Sequence, residues 1–93
     1  MHYERKPAFD RSLKRLPPDR KERVKNAVRH LVNFFETRQQ PQGLGLKRLR
    51  QDYWEIRSGV GDRIIFRLFG DLVEFVLVGN HDEIRRFLRA RES

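Results

Sequence analysis

Phe9, Leu13 and Leu16 recur at spacings of four and three, the signature of one helix face, and the Pro17–Pro18 pair stops that run. Before it, residues 2–6 alternate weakly and predict a short first strand, ended by Pro7, which has no N–H to give a ladder. After it, Val24, Ala27, Val28, Leu31, Val32 and Phe35 make an unbroken apolar stripe, with Lys21, Arg23, Lys25, Arg29 and Glu36 mostly off it. The stripe predicts an amphipathic helix over residues 18–37. Pro18 suits its first turn, and Asp19 stands near its positive end. The link between the two helices is so short that they should form an antiparallel hairpin.

Residues 38–45 (RQQPQGLG) read as a polar loop, after which the period changes to two. Residues 46–50 are a short strand or an extended lead-in. Tyr53-Trp54-Glu55-Ile56-Arg57 alternates, 58–62 is a turn, and 63–69 is β-branched and aromatic as strands are. Gly70-Asp71 turns the chain into a third strand of this group over 72–78. Short turns demand antiparallel neighbours. Asn80 can cap a last helix in a capping box with Glu83; Ile84, Phe87 and Leu88 form its inward face, and Arg85, Arg86, Arg89 and Arg91 do not. The predicted class is α+β, in one domain over residues 1–93 with one core. An antiparallel β-sheet carries the N-terminal two-helix hairpin on one face, and a short helix ends the chain.

Alternation also sorts the faces of the sheet. Trp54, Ile56, Ile64, Phe66 and Leu68 should meet the helices, leaving Glu55, Arg57, Arg63 and Arg67 on the other side. Glu74 joins them, although its strand is apolar in both phases; Lys47, Arg48 and Arg50 approach from the lead-in. Such a face could be laced by ordinary cross-strand Glu–Arg pairs. Its cations outnumber its anions, however, so unpaired guanidinium groups are expected, and these grip phosphates bidentately.

Composition sharpens this. There are 21 Lys+Arg against 13 Asp+Glu, a net charge of +8, which favours a polyanionic partner: nucleic acid, an anionic membrane surface or an acidic protein. The chain has no Cys, which excludes disulfides and thiolate metal sites. No apolar run approaches the roughly 20 residues of a membrane span, and the N-terminus is unlike a secretory signal, so the expected location is the cytosol. His81, at the junction of the last strand and helix, can accept or pass on a proton. His2 and His30 read as surface residues. There is no HxH, HxxxH or carboxylate-rich cluster and no Gly-rich phosphate loop, so neither a metal nor a cofactor is expected.

Two segments, Leu46 to Arg67 (LKRLRQDYWEIRSGVGDRIIFR) and Val73 to Leu88 (VEFVLVGNHDEIRRFL), resemble the RelE/ParE superfamily of toxins from type II toxin–antitoxin pairs. The first matches that family's basic lead-in, "WE-R" strand and strand-opening Arg; the second matches its late strand, "VG" and terminal helix. With FDRSLKRLP and the long helix, the likeness spans nearly the whole chain. It implies a cytoplasmic toxin neutralised by an acidic cognate antitoxin, with no membrane partner. RelE-like members cut messenger RNA on the ribosome without a metal, inhibiting translation. ParE-like members are not nucleases and act on DNA gyrase. Carried onto this sequence, Arg63 falls on the phosphate-clamping Arg, and His81 falls where members place an Arg or His. Glu55 and Arg57 fall on positions where members have Lys, Glu or Arg. The resemblance implies Glu55 and His81 as base and acid, in either order, with Arg57 and Arg63 as electrostatic stabilisers. Lys47, Arg48, Arg50 and Arg67 would hold the RNA. The terminal helix departs from RelE by having Phe87 in place of Tyr, which implies a weakened nuclease or a non-nucleolytic toxin.

Overall fold

Prolines open the first two helices, α1 (Pro7–Lys14) and α2 (Pro18–Thr37). The missing N–H is harmless there, because first-turn N–H groups have no helical partner. Helix α2 ends at Arg38, whose φ of 64° is left-handed and whose N–H reaches the Phe34 carbonyl at 2.7 Å. The last helix, α3 (His81–Ala90), starts on the predicted capping box. The Asn80 side chain accepts from the Glu83 N–H, and the Glu83 carboxylate accepts from the Asn80 N–H, both at 2.9 Å. The structure is a computed structural model and describes residues 1–39 and 43–91, so residues 40–42 of the expected loop lie outside the described residues.

Five strands make one sheet: β1 (His2–Arg5), β2 (Lys47–Arg48), β3 (Tyr53–Ser58), β4 (Asp62–Phe69) and β5 (Leu72–Gly79), in spatial order β1-β5-β4-β3-β2. Strands β2 to β5 are antiparallel, as their short turns require. The expectation of a wholly antiparallel sheet fails at one edge, where β1 runs parallel to β5. Turn length constrains only consecutive strands, and two helices and three strands separate β1 from β5.

The helical hairpin covers one face. Trp54, Ile56, Ile64, Phe66 and Leu68 all lie there, packed with Phe9, Val24, Ala27 and Leu31 from the helices. The second face carries a smaller cluster of its own: buried Ile65, Val76 and Ile84, flanked by Tyr53, Leu77, Phe87 and Leu88. The single expected core is therefore two, one on each side of the sheet. A β-bulge explains why β5 is apolar in both phases. The register shifts between Ile65 and Phe66, so both Val76 and Leu77 turn towards α3. Gly79 closes this strand against the helix; a Cβ there would lie 3.0 Å from the Glu83 Cβ.

Candidate functional site

Residues paired across an antiparallel ladder share a face. Arg57 on β3 pairs with Arg63 on β4, and Arg63 pairs with Gly79 on β5. The same end of the sheet therefore carries two arginines in cross-strand register on one face. His81 begins α3 two residues past Gly79 and is exposed. One step in, Glu55 pairs with Ile65 on one side and Lys47 on the other, which sets Lys47 at the exposed rim of this face.

The two arginines differ in their partners. Arg63 donates from Nη1 to Glu55 Oε2 at 2.6 Å, a diagonal contact in which Glu55 is 4% exposed and the Arg63 side chain 23%. A guanidinium has five N–H donors, so this bond leaves most of Arg63 available while fixing its plane. Arg57 is exposed, and no carboxylate of the described residues pairs with it. Its methylenes run over Gly45, where a Cβ would come within 3.0 Å, and its backbone N–H is held by the Leu44 carbonyl at 2.6 Å. Gly45, with φ of 62°, thus both turns the chain and clears a path for the Arg57 side chain.

The expectation of unpaired guanidinium groups on this face holds for Arg57 and is overturned for Arg63 and Arg67. Arg67 donates through Nε and Nη2 to Asp52 Oδ2 at 3.2 and 2.9 Å, and its Nη1 lies 3.5 Å from Glu74 Oε1. These bonds hold the Asp52 carboxyl below the usual carboxylate range and push the Arg67 guanidinium further up. Asp52 had no signal in the sequence beyond a polar residue before a strand. The Arg20–Asp62 pair was also missed; its two bonds, at 2.9 and 2.6 Å, lock α2 to the buried start of β4.

The remaining basic candidates separate. Arg67 stands four residues from Arg63, ~13 Å along the strand. Arg48 pairs with Trp54, in the phase of the helix-covered face, and its guanidinium bonds the Gln51 carbonyl at 2.9 and 3.1 Å. Arg50 lines a small cleft with Arg85 and Arg89 of α3. The structure thus gathers Glu55, Arg57 and Arg63 at one end of the second face, with His81 beyond them and Lys47 at the rim. It sets Arg48, Arg50 and Arg67 apart from that cluster. Chemically, the cluster offers anions an exposed guanidinium, Arg57, and a half-buried one, Arg63, whose plane a buried carboxylate fixes.

No protein-family model matches the sequence and no curated relative matches it, so the comparison is one of fold. A chain of the E. coli DinJ–YafQ complex superposes with a TM-score of 0.70 at 19% identity, over 88% of this chain and 94% of that one. The RelB–RelE antitoxin–toxin complex from Methanococcus jannaschii gives 0.68 at 20% identity, over 94% and 98%. The YoeB/ParE toxin from Agrobacterium tumefaciens gives 0.66 at 18% identity, over 87% and 99%. The chain has the RelE-like toxin fold that its sequence led us to expect.

Proposed function

We propose that this chain is the toxin of a toxin–antitoxin pair and that it cuts messenger RNA on the ribosome without a metal. The observation that carries this reading is the cross-strand pairing of Arg57 with Arg63 on the open end of the sheet, where no described carboxylate pairs with Arg57. Like charges opposite each other are unfavourable unless an anion joins them. In the proposed reaction a base removes the 2′-OH proton and the freed oxygen attacks the adjacent phosphorus. Arg57 and Arg63 hold the charge that develops, and an acid protonates the departing 5′-oxygen. His81, exposed at the start of α3 two residues past Gly79, would carry one of these protons in this reading. Glu55 is buried and accepts from Arg63, so we read it as the residue that positions Arg63 rather than as the base. The net charge of +8 suits both the RNA and an acidic antitoxin that masks this face.

Phe87 favours a second reading. It stands edge-on to Tyr53 at 5.7 Å in the second cluster and has no hydroxyl to exchange a proton. A chain lacking that proton could be a weakened nuclease, or a ParE-like toxin that acts on DNA gyrase. One experiment separates the readings: induce the chain alone, map the 5′ ends of cellular messenger RNA, and assay DNA supercoiling in parallel. The nuclease reading expects new 5′ ends and arrested translation. It also expects Arg57→Ala, which removes an exposed and unpaired group, to lower cleavage about 100-fold, as for a lost oxyanion donor. Growth arrest with intact messenger RNA and inhibited gyrase supports the second reading; unimpaired growth defeats both.

A further inference from the structure

Arg57 has cationic company besides Arg63. Between α2 and the end of β3 lies a cleft of about 240 Å³, and Arg57 lines it together with Arg23, Asn26 and His30 of α2. His30, which the sequence marked only as a surface residue, is exposed in this cleft. The described residues that line the cleft include no carboxylate. Arg23 does meet Asp19 at 3.4 Å, but that is an exposed contact within α2, and Asp19 does not line the cleft. Exposed pairs of this kind hold a side chain weakly.

Both arginines are seated by glycines. Gly59, in the turn after β3, has φ of 75°, and a Cβ there would come within 2.9 Å of Arg23 Nε. Gly45 has φ of 62°, and a Cβ there would come within 3.0 Å of Arg57 Cδ. Each arginine therefore lies across a glycine in a left-handed conformation, and both line the one cleft. Cations gathered without an anion repel one another unless a ligand joins them. Guanidinium forks grip phosphate oxygens bidentately, and Asn26 and His30 add further N–H donors. The cleft is smaller than the roughly 300–1,000 Å³ of sites that enclose whole small ligands. No Phe, Tyr or Trp is among the described residues that line it, so it gives a base little to stack on. A phosphate group by itself suits both the size and the donors. With two cations and no anion in the described lining, a dianionic monoester gains about twice the attraction of a singly charged diester.

We propose that the cleft between α2 and β3 is a phosphate-monoester site, in which Arg23 and Arg57 clasp the dianion and Asn26 and His30 donate to it. The ligand is a terminal phosphate, whether free, on a small molecule or at the end of a nucleic-acid strand. The backbone diester of RNA is disfavoured. The binding itself stands whether or not the chain cuts RNA. Its consequence rests on the RNA-cutting reading: a bound monoester engages Arg57 and withdraws it from the substrate, so phosphate inhibits cleavage.

The test is to titrate the full chain, at pH 8 and constant ionic strength, with inorganic phosphate and with dimethyl phosphate, following the backbone amides of His30 and Gly59 by NMR. Both amides should shift with inorganic phosphate, and dimethyl phosphate should bind at least tenfold more weakly. Arg23→Gln should weaken phosphate at least fivefold, as should Gly59→Ala, which displaces Arg23. Arg85→Gln removes the same charge from α3 and should leave the affinity within twofold. If Gly59→Ala fails to fold, the variants at Arg23 and Arg85, both exposed, still decide the matter. A 5′-phosphorylated RNA trinucleotide that binds more tightly than inorganic phosphate identifies a strand end as the source, and weaker binding identifies a small phosphate; both uphold the site. Equal binding of dimethyl phosphate would assign the cleft to backbone phosphates and overturn the proposal. Equal losses from Arg23→Gln and Arg85→Gln, or unmoved amides, would overturn it too. Saturating phosphate should slow RNA cleavage at least fivefold, and Arg23→Gln should relieve the inhibition; cleavage indifferent to bound phosphate would overturn the withdrawal of Arg57. Phosphate binding without any RNA cleavage upholds the site and defeats the proposed activity. RNA cleavage without phosphate binding defeats the site alone.

Discussion

Arg63 and Arg67 stand on the same strand and the same face, yet each has a carboxylate of a different kind. Glu55, behind Arg63, is buried, whereas the side chain of Asp52, beside Arg67, is 31% exposed. Because Arg67 holds the Asp52 carboxyl below its usual range, the pair contributes stability above the unfolded carboxyl pKa of about 3.9, and loses it as pH falls through the folded value. Asp52→Asn should therefore cost up to about 1 kcal/mol at neutral pH, with the gap closing in acid; urea titrations of both proteins at pH 7 and pH 3 check this. A constant gap would mean that Asp52 acts through shape rather than charge. Alternation along β3 and β4 was enough to place Glu55, Arg57, Arg63 and Arg67 on one face. It could not say that Arg63 turns diagonally to Glu55 or that Arg67 reaches out of the sheet to Asp52. Side-chain period fixes a direction, and partners depend on rotamers that local sequence does not encode.

At the scale of elements, α3 is the case where sequence was most and least informative. Its start was legible because a capping box is a local arrangement, closed between Asn80 and Glu83. Its docking was not, because that depends on a bulge in β4–β5 and on apolar residues of β5 that alternation assigned to no particular face. The edge pairing of β1 escaped for the same reason: Tyr3 meets Val73 across seventy residues. The cap makes a direct prediction. Asn80→Ala leaves the Glu83 N–H without its acceptor and should destabilise the chain by about 1 kcal/mol, measured by thermal or urea unfolding. Asn80→Ser, which keeps a capping oxygen, should recover most of the loss. Because His81 is the first residue of this helix, a frayed cap also loosens the candidate proton carrier from the end of the Arg57–Arg63 row.

The whole molecule is an unequal sandwich, with one sheet between a large core and a small one. On the hairpin side α2 buries Val24, Ala27 and Leu31, and Phe66 contacts both Phe35 and Phe75. On the other side α3 buries only Ile84, against Ile65 and Val76. Helix α3 also carries Arg85, Arg86 and Arg89 on a chain of net charge +8, so like-charge repulsion works against its docking. Local opening follows buried apolar contact, and α3 buries one apolar residue where α2 buries three. Amide hydrogen exchange should therefore show α3 opening at a lower free energy than α2 and the centre of β4. Ile84→Ala should widen that difference, since truncating a buried Ile costs about 2–5 kcal/mol and the loss falls on the smaller core. Phe66→Ala, in the larger core, should instead lower the stability of every element together. If α3 and α2 exchanged with one common free energy, and Ile84→Ala lowered both equally, the two cores would form a single cooperative unit. His81, the first residue of α3, would then be held as rigidly as the sheet itself.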